Sequence, residues 1–375
     1  MRKKQVLFVY PDMIVGGSTS ALLALLQELD YTSMDVDILF LHNGNVRLEE
    51  LPPQVRVLPD AVSVGLAELP FRIKKLANLI FTGKAFVALK AVRWWGHHPF
   101  HMYWRAALNQ MLARIHSEYA YTIRKQYDVA IAYLELWPTI YVAQNANAKK
   151  KIAWCHVDYS AARLIPELDK EYYAKMDRIY CVSSECAEQF KVCFPTLKNK
   201  VTWMENFLNK QAILEKSLIE RDVEEVFLQN QNYRIVTVAR LDSYTKGLDR
   251  IVTITRCLKE EGLRFTWYII GGGADERELR RNIVTNNLQN YLILLGEKSN
   301  PYPYIARANL FVLASRNEGK PIVVSEAKIL GVPILVTAYP SAQRQLEGAK
   351  GWVVENSEEG LLQKLREILQ IKEPE

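Results

Sequence analysis

Short, unbroken runs of apolar residues alternate with helix-patterned stretches along almost the whole chain, and this rhythm limits the folds open to it. Residues 6–10, 36–41, 129–133, 151–155 and 178–182 are such runs, and a helical stretch at 19–29 follows the first. A strand that is apolar throughout is buried on both faces, as in a parallel sheet covered by helices. The alternation therefore predicts an α/β, doubly wound architecture. The pattern then starts afresh. After a charged stretch at 210–231 without strand signal, strands are expected at 234–239, 265–270, 291–295, 310–314, 333–337 and 351–354. Helices are expected between them at 248–260, 276–286, 305–308 and 321–330, with a closing one at 358–371. We read two similar domains, 1–207 and 208–375, facing across a cleft, with ligands at the carboxyl ends of the strands. The closing helix, with Leu361, Leu362, Leu365 and Leu369 at helical spacing, is a candidate to cross back to the first domain.

Composition removes other classes. Among 375 residues, 49% are hydrophobic and 48 Lys and Arg face 42 Asp and Glu, so the chain can bury enough surface to fold. The longest apolar stretch, 321–338, is interrupted by Glu326 and Lys328, which argues against a membrane span. The run at 6–10 stops at Pro11-Asp12, too short for a signal peptide, and reads as a buried first strand. Five cysteines without C-x2-C spacing read as reduced thiols of a cytosolic protein.

One segment, residues 67–125, departs from the rhythm. It carries ten Lys and Arg against Glu68 and Glu118, together with Phe71, Trp94, Trp95, Tyr103 and Trp104. A basic, aromatic, amphipathic stretch suits an anionic membrane surface or an acidic acceptor; plain helix packing with a basic rim explains it as well. Nucleic acid is not expected as a partner. His97, His98 and His101 lie here without a partnering acid, so no metal site is expected.

Two constellations carry chemistry. Ser315-Arg316-Asn317-Glu318-Gly319-Lys320-Pro321-Ile322 leaves a strand and opens a helix that continues to Glu326. Pro321 suits the first helical turn, and the N–H groups of Gly319, Lys320 and Ile322 are expected to form a site for an anion or for sugar hydroxyls. Glu318 at the mouth and Glu326 along the helix can grip two parts of one elongated ligand. In Ala239-Arg240-Leu241-Asp242-Ser243-Tyr244-Thr245-Lys246-Gly247, two cations stand at a strand end and before a helix, which suits a diphosphate.

The Glu-x7-Glu pattern of Glu318 and Glu326, with Arg240 and Lys246, resembles the retaining glycosyltransferases of family 4. These have the GT-B fold of two Rossmann-like domains. Gly271-Gly272-Gly273, Asn300-Pro301-Tyr302 and Gly331-Val332-Pro333 extend the likeness through most of 200–360. In the first half it rests on Gly16-Gly17, Trp154-Cys155-His156-Val157-Asp158, residues 177–183 and Asn206. The resemblance implies that Arg240 and Lys246 neutralise a departing diphosphate, Glu326 holds the ribose and Glu318 binds the transferred sugar. His156 would sit over that sugar, and Gly17, with Gly16 beside it, would let the backbone approach the donor. Lys320, where the family is often apolar, is a candidate contact to an acidic donor or acceptor.

The resemblance further implies a metal-independent reaction with no cofactor beyond the nucleoside-diphosphate sugar as co-substrate. The acceptor would be a lipid-linked or polymeric glycan of a cell-surface polysaccharide, reached in the cytoplasm or at the inner membrane face. A sugar-nucleotide epimerase or hydrolase on the same scaffold, or a non-catalytic binding protein, are the other readings.

Overall fold

The computed structural model describes residues 2–14, 16–41, 47–61, 104–219, 223, 227 and 232–370. By its packing the chain forms two compact units. Met1–Ile14, Leu29–Cys181 and Ala187–Trp203 make the first; Val15–Glu28, Val182–Cys186 and Met204–Glu375 make the second. The chain makes its last passage into the second unit at Trp203–Met204. Most of the basic segment, including His97, His98 and His101, lies outside the described residues; its end forms the helix Trp104–Tyr119.

The first unit is built on β1 (Lys4–Tyr10), β2 (Met34–Phe40), β3 (Val55–Val57), β4 (Tyr127–Ala132), β5 (Ala148–Cys155), β6 (Arg178–Cys181) and β7 (Val201–Trp203). They form one sheet in the order β3-β2-β1-β4-β5-β6-β7, and every neighbouring pair is parallel. Leu7, Val9, Ile38 and Leu39 are wholly buried, which is why these strands read as continuous apolar runs. The edge strands β3 and β7 escape the sequence reading because three residues each make no recognisable run. The helix Trp137–Gln144 escapes it for the opposite reason: Trp137 through Ala143 are all buried, so no polar face marks a helical period.

The second unit contains β8 (Tyr233–Val238), β9 (Phe265–Ile270), β10 (Leu292–Gly296), β11 (Leu310–Leu313), β12 (Ile334–Thr337) and β13 (Gly351–Val354), ordered β10-β9-β8-β11-β12-β13. Again every pair is parallel. Successive residues of each strand feed two separate cores. Ile235, Trp267, Val312 and Leu335 join one cluster with the helices Leu248–Glu260 and Glu358–Gln370. Val236, Tyr268, Phe311 and Val336 join another with Val324 and Ala327 of the helix Ile322–Ile329. Trp267 is wholly buried, yet its Nε1–H donates to Thr237 Oγ1 at 3.0 Å, so no polar atom of that ring is stranded.

Leu361, Leu362, Leu365 and Leu369 of the closing helix all pack into the first of these clusters. The charged stretch is helical at Lys210–Ser217, where the Asn209 side chain caps the start by accepting the Ala212 N–H at 2.9 Å. No described helix is long and apolar enough to cross a membrane. Both sheets are Rossmann-like. Each has a switch point, where the strand order reverses, between its first and fourth strands.

Candidate active site

In the second unit the switch point lies between β8 and β11, and the two constellations follow those two strands. Arg240 comes two residues after β8. Its loop is clamped by the glycine turn that follows β9. Leu241 N–H donates to Gly272 O at 2.9 Å, and Ser243 N–H donates to Asp275 Oδ2 at 2.7 Å. A Cβ on Gly271, whose φ is 148°, would lie 1.9 Å from Ala239 O, so only glycine lets the turn approach this closely. The Arg240 side chain is 65% exposed and its nearest carboxylate, Asp242, is 3.8 Å away. Its guanidinium is therefore loosely held.

Lys246 ends the short helix Ser243–Lys246, which Asp242 caps by accepting the Thr245 N–H at 3.1 Å. Gly247 follows with φ 67°, and a Cβ there would lie 2.1 Å from Ala314 O. This close approach brings Lys246 beside the chain leaving β11. There Lys246 Nζ meets Glu318 Oε1 at 2.7 Å, with the two side chains 21% and 11% exposed. Lys246, assigned from sequence to the diphosphate, and Glu318, assigned to the transferred sugar, are thus direct partners.

The loop carrying Glu318 is fixed from below. Ser341 Oγ donates to Gly319 O at 2.8 Å, Gln345 Nε2 donates to Pro321 O at 2.8 Å, and Asn356 Nδ2 donates to Arg316 O at 2.8 Å. Arg316 grips Asp249 with two hydrogen bonds of 2.7 and 2.6 Å, so this arginine is structural. Pro321 caps the helix in extended backbone with φ −65° and ψ 119°, and the helix itself starts at Ile322. Pro321 is therefore one position earlier than expected: its φ would suit the first turn, and its ψ of 119° leaves it extended ahead of the helix. Among the described residues the amides of Gly319, Lys320 and Ile322 have no protein acceptor. With the helix dipole, amides so placed are chemically suited to an anion or to hydroxyl groups.

Glu326 is 6% exposed, and Tyr302 Oη donates to its Oε1 at 2.9 Å. Lys320 forms an ion pair with Glu205 and is 11% exposed. Its ammonium, expected to meet an acidic ligand, has a protein carboxylate as its partner instead. Asn206, Lys320, Ile322, Ser325 and Ile329 line a cavity of about 680 Å³. Arg240, Lys246, Glu318 and Glu326 are not on its lining, so Asn206 is beside the helix start but apart from the charged pair. Gly16 is extended at φ 175°, and a Cβ on Gly17 would make an ordinary 3.4 Å contact with Ile322. Neither glycine is required by the fold itself.

In the first unit, His156 follows β5 directly. One row of aromatic side chains crosses the sheet beneath it. Tyr10 to Tyr133, Tyr133 to Trp154 and Trp154 to Tyr180 have ring centroids 6.3, 5.0 and 5.5 Å apart. His156 meets Tyr133 edge-on at 4.9 Å. Burial lowers the imidazole pKa to about 3, and Nε2 is buried with no partner among the described residues. The ring is therefore neutral at physiological pH. Free histidine titrates near 6.5, so the unfolded chain takes up this proton first, and folding stability falls as pH drops from about 6.5 toward 3. His156→Gln should flatten that part of the acid-unfolding profile, and the wild-type His156 ring resonance should not move between pH 5 and 8. A resonance titrating near 6.5 would overturn this.

Sequence reading brought out Arg240, Lys246, Glu318 and Glu326. It missed Asp275, Tyr302, Ser341, Gln345 and Asn356, which hold them. Only Tyr302 had a signal, in the Asn300-Pro301-Tyr302 turn. It also missed Glu135, whose Oε2 accepts the His156 backbone N–H at 3.1 Å.

Comparison with known proteins bears on this arrangement. Residues 219–375 match the family Glycosyl transferases group 1. That segment holds every charged residue of the β8/β11 site. An uncharacterized glycosyltransferase of Methanocaldococcus jannaschii is 27% identical over 179 residues, 47% of this chain and 43% of that protein. The amylovoran biosynthesis glycosyltransferase AmsK of Erwinia amylovora is 32% identical over 149 residues, 37% of this chain and 36% of that protein. The chain thus spans less than half the length of these curated relatives. The crystal structure of Anabaena HepE in complex with UDP and glucose is 14% identical with a TM-score of 0.65, covering 97% of this chain and 89% of that one. The fold is that of the GT-B glycosyltransferases.

Proposed function

We propose that the chain is a retaining glycosyltransferase that moves a sugar from a nucleoside-diphosphate sugar to a lipid-linked or polymeric glycan. The observation that carries this reading is the convergence of Arg240, the Lys246–Glu318 pair and three unpaired amides at one switch point. An exposed guanidinium and an ammonium at a helix mouth suit a diphosphate, and preorganised cations stabilise the charge that grows on it as it leaves. On diphosphate binding, Lys246 exchanges Glu318 for phosphate oxygen, and Glu318 is then available to sugar hydroxyls. Glu326, oriented by Tyr302, holds the ribose. His156, neutral, donates or accepts one hydrogen bond at the transferred sugar.

In this reading the acceptor oxygen attacks the face from which the diphosphate departs. The bond from the anomeric carbon to phosphate oxygen breaks, the glycosidic bond forms, and the acceptor proton passes to the phosphate. Arg240 and Lys246 balance the phosphate charge, so the reaction proceeds without metal. AmsK is named for polysaccharide biosynthesis, which supports a surface-polysaccharide acceptor here, reached from the cytoplasm or the inner membrane face. The basic stretch around 67–125 is the part assigned to an anionic surface, and salt-independent failure to bind anionic liposomes would remove that assignment.

The test is a thermal-shift screen of wild type, Arg240→Ala and Glu326→Ala against UDP, GDP, ADP, CMP and dTDP, with and without Mg²⁺. One diphosphate at 100 times its Kd should stabilise wild type by about 2.7 kcal/mol without metal, and both variants should lose most of that gain. Stabilisation only with Mg²⁺ would overturn the metal-independent reading. Binding by no nucleotide would overturn the donor site itself, and nucleotide-sugar cleavage with no glycosylated product would favour a hydrolase.

A further inference from the structure

A second carboxyl group stands at the carboxyl edge of the first sheet, on the segment that follows β4. Glu135 lies in Tyr133-Leu134-Glu135-Leu136 and is half-buried, and its desolvation raises its pKa above the ordinary carboxylate value. Among the described residues no cation pairs with it. Its Oε2 accepts the backbone N–H of His156 at 3.1 Å across to the neighbouring strand's end. The next residue, Leu136, has φ 64° and ψ −119°, a conformation that a β-carbon disfavours. A half-buried carboxyl with no cation among the described residues and a leucine at positive φ are both unfavourable, and they occur side by side. Beside them is the hydrogen bond to His156, whose imidazole Nε2 is buried with no partner among the described residues.

We infer that Glu135 is a positioning residue for His156: its carboxyl holds the His156 amide where the chain leaves β5, and so fixes the direction in which the imidazole emerges. The aromatic row supports the ring from one side through Tyr133, and Glu135 fixes the backbone from the other. The inference rests on the proposed role of His156 at the transferred sugar. What Glu135 contributes is a hydrogen-bond acceptor, so a neutral group of the same shape should serve.

The experiment compares wild type, Glu135→Gln, Glu135→Ala and His156→Ala in the full chain. It measures kcat and KM for a nucleotide sugar bearing the nucleotide that the thermal-shift screen identifies, and the His156 ring resonance in each variant that retains it. Glu135→Gln keeps a side-chain carbonyl and should hold kcat within about threefold, whereas Glu135→Ala should lose about tenfold or more in kcat with KM little changed. Glu135→Ala should also shift the His156 ring resonance, and Glu135→Gln should not. Should the alanine variant fail to fold, Glu135→Asp, one methylene shorter, takes its place with the same expectation. An alanine or aspartate variant with wild-type kcat and an unmoved resonance overturns the inference, as does a glutamine variant as impaired as alanine. If His156→Ala is itself fully active, the proposed role of His156 fails; the resonance then still reports whether Glu135 orients the ring.

Discussion

Replacing Lys246 with alanine should reduce sugar transfer by about a hundred- to a thousandfold, the scale expected when one preorganised stabiliser of developing charge is removed. The same change should lower stability by about 2 kcal/mol, because Glu318, 11% exposed and 2.7 Å from Lys246 Nζ, is left as a nearly buried carboxylate without its partner. These two losses have different origins and can be separated. Adding Glu318→Gln to Lys246→Ala removes the stranded charge and should recover most of the stability, while transfer stays low. Denaturant unfolding and initial-rate measurements on the two single variants and the double variant give the comparison. If the double variant recovered activity along with stability, Lys246 would be a structural partner of Glu318 and nothing more.

The second large effect concerns a residue without a side chain. Gly271→Ala should destabilise the second unit by about 3 kcal/mol, since the new Cβ would meet Ala239 O at 1.9 Å in a backbone conformation of φ 148°. The displaced atom belongs to the residue before Arg240, so diphosphate binding should weaken in the molecules that remain folded. Gly262→Ala is the control. Its φ is also positive, at 78°, but nothing lies within 4 Å of its Cβ, so it should lower stability less and leave nucleotide binding intact. Thermal unfolding with and without the diphosphate distinguishes the two. Equal losses in both variants would show that the crowding at Ala239 is relieved elsewhere.

The architecture was legible because burial on both sheet faces leaves a plain trace. Runs such as Phe265–Ile270 and Gly351–Val354 were delimited from the sequence with the bounds the structure has. The charged residues of the site were legible because charge at a strand end, next to a helix start, has few structural uses. Their supports were not. Ser341 and Gln345 hold the Glu318 loop through its backbone carbonyls, and a carbonyl presents the same chemistry whatever residue bears it. The Lys246–Glu318 pair was hidden for a related reason: each residue was assigned a ligand, and the possibility that they satisfy one another requires knowing that β8 and β11 are neighbours. Glu135 was overlooked because it sits between apolar neighbours without a motif, and its partner is again a backbone group.

The order of the second sheet has a consequence for how the protein is made. Its central strands, β8 and β11, are adjacent in space but separated in sequence by β9, β10 and their helices. Lys246 and Glu318 are 72 residues apart, Arg316 and Asp249 are 67 apart, and Arg250 and Asn356 are 106 apart. None of these contacts rewards a nascent chain until long loops have closed, so this is a topology of high contact order and slow closure. A ribosome that has released the sequence only as far as β10 has synthesised both cations and neither glutamate. Recovery of diphosphate binding during refolding should therefore lag behind recovery of helical signal, which makes the ligand a reporter of the last stage of assembly.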